Sequence, residues 1–155
     1  MAKKKETGIL IQQKVYDLTV DYERPLSDLI QAGNYDHLPR DFKVNDFQVV
    51  RNTKKKSRVS RKVVIAGFEI EPSTDFVLSA LKKEGLTPSD SLTLLTLGEV
   101  YPMAQFDSFI HALGSISKDL CLALSSFGGS RVLTMSAAKV STWLRHCSFA
   151  AYRNE

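Results

Sequence analysis

Seven positive charges and no negative one fall within residues 51–62: Arg51, Lys54, Lys55, Lys56, Arg58, Arg61 and Lys62. Apolar runs flank this stretch, Phe47 to Val50 before it and Val63 to Ile70 after it, and both read as strands. Paired as a hairpin, they would place the cationic residues at the tip of a long β-ribbon or on a loop. In that position such charges also discourage edge-to-edge association. A shorter run, Lys3 to Lys5, lies near the start of the chain. Of the 21 basic residues ten belong to these two runs, leaving eleven against 17 acidic ones, so the formal +4 becomes −6 for the remainder. The basicity is local, and a cationic strip on an acidic body gives an anionic macromolecule, nucleic acid or acidic protein, one place to dock.

The 155 residues suffice for one domain with a core, and a composition that is 43% apolar and 25% charged is that of an ordinary globular chain. No window approaches the roughly 18 to 20 apolar residues needed to span a bilayer. The start of the chain does not read as a signal peptide. Cys121 and Cys147 each sit among apolar neighbours and read as buried free thiols, which points to the cytoplasm.

Residues 1–13 lack a clear period and read as a flexible basic arm, leaving 14–155 as the domain. Val15 to Tyr22 alternates, with Tyr16, Leu18, Val20 and Tyr22 on one face, and predicts a half-buried strand. Pro25 opens a short helix that Gly33 closes as the left-handed residue. Pro72-Ser73-Thr74-Asp75 starts a second helix ended by Gly85, and Thr87-Pro88-Ser89-Asp90 starts a third ended by Gly98. From Phe109 onward short apolar segments separated by Gly114-Ser115 and Gly128-Gly129 predict successive antiparallel strands. Ser136 to His146 reads as an irregular loop, and the run from Ser148 to Arg153 as a last strand. The fold class is therefore α+β: an N-terminal strand-helix unit and a central helix pair on a mainly antiparallel C-terminal sheet.

The order and spacing of several segments resemble an uncharacterised family of small bacterial proteins. They are Asp17 to Tyr22, Ala32-Gly33-Asn34-Tyr35-Asp36, Gly85-Leu86-Thr87-Pro88, Leu94 to Gly98, Tyr101-Pro102, Ala112 to Ser115, Arg131-Val132-Leu133 and Phe149 to Arg153. The C-terminal half also looks distantly like the C-type-lectin-like superfamily that includes formylglycine-generating enzymes. The resemblance implies organisation and no particular activity.

Metal binding needs about four ligands with at least one local pair, and His37, His111, His146, Cys121 and Cys147 offer only His146-Cys147, whose side chains diverge in a strand. No metal site and no cofactor is expected. Cys147 with His111 is the one nucleophile-base pairing to consider, and a core cysteine describes Cys147 better. Phosphate-cradling glycine motifs do not occur. The expectation is a non-enzymatic recognition module of unknown ligand. Sequence-independent nucleic-acid binding through 51–62 is an alternative, and an enzyme of unknown class a second. Aromatic residues are not interleaved with the basic ones, so phosphate contacts rather than base stacking would carry nucleic-acid binding. A second candidate surface is the loop carrying Lys139, Trp143 and Arg145, since tryptophan and arginine are enriched at binding hot spots, although a lone tryptophan also suits a core.

Overall fold

The computed structural model describes residues 10–47 and 57–153. In chain order these form β1 (Leu10–Asp21), α1 (Leu26–Gly33), a 3₁₀ turn (Val44–Phe47), β2 (Arg58–Phe68), α2 (Thr74–Lys83), β3 (Leu86–Pro88) and α3 (Ser91–Val100). A second 3₁₀ turn (Ala104–Phe106) leads into β4 (Phe109–Ser117), β5 (Leu120–Phe127), β6 (Ser130–Ala137) and β7 (Cys147–Arg153). The expected α+β domain is what these residues build. One sheet runs in the order β1-β2-β7-β4-β5-β6, and β3 pairs with the far end of β7. Every pairing is antiparallel except β4 with β7, which is parallel. Among the described residues no helix is long and apolar enough to cross a membrane.

Alternation within the strands divides the core between the two faces of the sheet. Leu18, Val20, Val63, Ile65, Ile110, Leu122 and Leu124 meet α1 and α3 on one side. Val64, Ala66, Phe68, Cys121 and Phe149 meet Val77 and Leu81 of α2, together with Trp143, on the other. Helix α3 is buried from Ser91 through Gly98 on all sides, as expected of a helix whose leucines do not keep to one stripe. Its first turn is capped by Asp90, whose carboxylate accepts from the Thr93 amide at 2.8 Å. Ser115 on β4 accepts from the Ser91 amide at 2.9 Å.

At the opposite end of α3 one side chain serves several carbonyls. Arg131 of β6 donates to Gly98 O at 2.7 Å, to Pro102 O at 2.9 Å and to Gly33 O, the last carbonyl of α1. Its guanidinium lies over the Tyr35 ring, 4.7 Å from the centroid. Tyr35 sits where a Cβ on either Gly33 or Gly98 would collide with it.

Several expectations are corrected. Among the described residues β2 pairs with β1 and β7 and not with Phe47, which ends the first 3₁₀ turn; the rest of the expected strand, residues 48–50, lies outside the described residues. β1 supplies a matching apolar alternation and places Asp17 opposite Lys62 and Asp21 opposite Arg58, which a hairpin with the shorter segment would not do. β1 also begins at Leu10, inside the segment read as an arm; residues 1–9 lie outside the described residues. The left-handed residue after α1 is Asn34 (φ 52°), and Gly33 is the helix's last residue. Gly98 does not end α3, which continues to Val100. Gly114-Ser115 lies within β4, because Gly114 passes so close to the Pro88 and Ser89 carbonyls that only a residue without a Cβ fits. The turn lies instead at Lys118-Asp119, both at positive φ. The final strand is present as expected, antiparallel to β2 and β3 and parallel to β4.

Alanine normally exceeds glycine inside a helix by about 1 kcal/mol, whereas the collision with Tyr35 works against it at Gly98. Gly98→Ala is expected to lower stability in urea unfolding by about 1–3 kcal/mol. In a Tyr35→Ala background the same change is expected to be neutral or stabilising.

Candidate functional site

Among the described residues, 58–62 of β2 pair with β1 alone, since the backbone pairing of β7 with β2 runs only from Val63 to Ala66. The two strands thus leave the sheet as a ribbon, with Ser57 accepting from the Tyr22 amide at 2.7 Å at its end. An open cleft of about 630 Å³ lies where the ribbon departs, lined by Asp17, Leu18, Thr19, Ser60, Arg61, Lys62 and Arg153. The cationic residues Arg51, Lys54, Lys55 and Lys56 join this ribbon through Ser57 and lie outside the described residues.

The three described members of the basic stretch have different surroundings. Lys62 pairs with Asp17 at 2.9 Å, both side chains more than 70% exposed, and Arg58 approaches Asp21 at 3.6 Å. An exposed pair such as Lys62–Asp17 contributes about 0–1 kcal/mol, so an incoming anion can replace that carboxylate at little cost. Arg61 is committed to the fold. Its guanidinium stacks on Tyr152 at 3.7 Å from the centroid and donates to the Tyr22 hydroxyl at 2.8 Å. Tyr22 in turn donates to Asp90 at 2.6 Å, which ties the ribbon to the cap of α3. Burial, reinforced by the Asp90 charge, pushes the Tyr22 hydroxyl up to about 12, so it remains a donor at neutral pH.

The second candidate surface divides in the same way. Trp143 is 5% exposed, donates to Thr74 Oγ1 at 3.0 Å and packs edge-on against Phe149 and His111. It is a core residue and offers no surface to a partner. Lys139 is exposed beside Asp119 at 3.3 Å. Arg145 is exposed and lines a second open cleft of about 490 Å³ with Gln105, Asp107, Ser108, Ser125, Ser126 and His146 among others. Gln105 Nε2 bridges the carbonyls of Ser125 and Val132 at 2.6 and 3.1 Å, holding the ends of β5 and β6 together beside this cleft.

The potentially reactive groups lie elsewhere. His111 is fully buried between Phe109, Trp143 and Phe149, with Nδ1 at 3.1 Å from Phe109 O and 3.2 Å from Ser148 O. Burial lowers its pKa to about 4. Cys121 and Cys147 are free and buried, and burial raises both thiols, Cys121 to about 12. Neither the histidine nor either thiol lines the clefts described above. No cluster of three or more potential metal ligands occurs among the described residues. Comparison with family models, with curated proteins and with solved structures finds no match.

Sequence reasoning missed Arg153 and the serine group of the second cleft. Both reach the clefts only through strand register and chain reversal, and the one local signal was the adjacency of Arg145 and His146.

The depressed His111 makes folding pH-dependent. The unfolded side chain binds a proton near pH 6.5 and the folded one only near 4, so this stability is complete above about 6.5 and disappears as pH falls towards 4. Urea unfolding at pH 5 is expected to show roughly 2 kcal/mol less stability from this source than at pH 7. His111→Gln should flatten that dependence.

Proposed function

We propose that the protein is a non-enzymatic recognition module that docks an anionic polymer, with a nucleic-acid backbone as the ligand of first choice. The docking surface is the open face of the β1–β2 ribbon together with the cationic run joined to it. One observation carries this reading: Lys62 and Arg58 of β2 and Arg153 of β7 border or adjoin an open cleft, held among the described residues by the carboxylates of Asp17 and Asp21 and by the Glu84 carbonyl, and β2 follows Arg51, Lys54, Lys55 and Lys56 in the sequence. Burial of His111 and of both thiols supports recognition over catalysis. The reading is sequence-independent, because the described lining of the cleft presents no aromatic ring for bases to stack on. It places the protein in the cytoplasm, where free thiols persist and nucleic acid is met. The resemblance to the small bacterial family enters as organisation: of the residues that carry it, Gly33, Tyr35, Gly98 and Pro102 meet around the Arg131 guanidinium, and Asp36 accepts from the Arg131 amide.

Fluorescence anisotropy with generic duplex and single-stranded oligonucleotides tests the proposal. Affinity is expected to fall steeply with salt, and reversing Lys54, Lys55 and Lys56 to glutamate should flatten the slope of log K against log salt by about 3. Retention of neither oligonucleotide at low salt would refute it.

A further inference from the structure

We propose that the cleft between the β4 entry, the end of β5 and the turn before β7 is a binding site for a small molecule bearing a phosphate group. Three segments distant in sequence build it: residues 105–109, Ser125-Ser126 and Arg145-His146. Their polar groups are mostly donors. Ser108, Ser125 and Ser126 supply hydroxyls, Arg145 a guanidinium and His146 an imidazole. Arg145 makes no ion pair with any described residue, whereas Asp107, the acid in the lining, is held by Lys14 at 2.7 Å. The cleft therefore presents a guanidinium and hydroxyl donors, with the Asp107 carboxylate at its edge in an exposed pair with Lys14.

Two parts of the lining are held in place within the fold, the His146 ring and the Ser125 backbone. The His146 ring stacks on Phe109, 6.0 Å between centroids at 22°. Gln105, 2% exposed, fixes the Ser125 backbone through the hydrogen bonds described above. A tetrahedral phosphate monoester offers three non-bridging oxygens to such a set, and a guanidinium engages two of them in parallel. A planar carboxylate would leave part of the set unmatched. The volume of about 490 Å³ falls in the range of small-molecule sites, so the phosphate would be the anchoring part of a larger metabolite. None of these residues lines the ribbon cleft, so this site stands or falls independently of polymer binding.

The test is a titration with inorganic phosphate at constant ionic strength, followed by amide chemical shifts, with chloride and acetate as comparison anions. Saturable shifts are expected at Ser108, Ser125, Ser126 and His146, with acetate weaker and chloride without effect. Arg145→Ala should weaken phosphate binding at least tenfold. Ser126→Ala, at an exposed position, should weaken it by a smaller factor, and Lys62→Ala should leave it unchanged. Each variant is compared at its own verified native melting transition. Shifts that are absent, that chloride reproduces, that cluster at the ribbon, or that keep their affinity in both cleft variants would overturn the proposal.

Discussion

Burying most of a helix obliges its surroundings to satisfy the backbone groups at its ends. Helix α3, buried from Ser91 through Gly98, has amides at its start and the Gly98 carbonyl near its finish to be matched, and each buried group left unmatched would cost about 1–3 kcal/mol. The N-cap residue and the sheet supply the partners. Asp90 and Ser115 take amides at one end, and Arg131 takes the Gly98 carbonyl at the other while also closing α1 through Gly33 and the following turn through Pro102. Tyr35 fills the space that two absent Cβ atoms create and lies beneath the guanidinium. The orientation of α1 and α3 on the sheet follows from these few contacts.

The same helix links scaffold to surface. Asp90 caps α3 and accepts from Tyr22, which accepts from Arg61, so one cationic residue of the basic stretch anchors the ribbon while its neighbours Arg58 and Lys62 face solvent. Anchoring by an arginine stacked on Tyr152 fixes where the ribbon leaves the sheet, and with it the place at which the more distal charges are attached. On the opposite face, the Thr74 hydroxyl donates to Ala138 O and accepts from the Val140 amide and from Trp143. That pins an otherwise irregular loop and delivers Arg145 and His146 to the second cleft.

What could be read from the residues divides by range. The caps at Ser73 and Asp90 depend on neighbours three positions away, and both were legible. Gly98 and Gly114 were misread as punctuation because their real constraints, the Tyr35 ring and the Pro88 and Ser89 carbonyls, come from segments far away in the chain. The pairing of β2 with β1 was missed for a related reason: adjacency in sequence favoured a local hairpin, whereas the register that opposes Asp17 to Lys62 and Asp21 to Arg58 is a property of the folded pair. By residue type Trp143 suited a core better than a hot spot, yet it stood as a candidate for both. Only the position of Thr74 decides between them.

The central claim is that the scaffold's interior is inert and that recognition falls on the ribbon and its cationic run. Chemical footprinting of lysines, quantified by mass spectrometry with and without a saturating oligonucleotide at low salt, addresses it most directly. Protection confined to Lys54, Lys55, Lys56 and Lys62, with Lys118 and Lys139 labelled equally in both states, is the result the account predicts. Protection spread evenly over all lysines, or concentrated at Lys118 and Lys139, would contradict it.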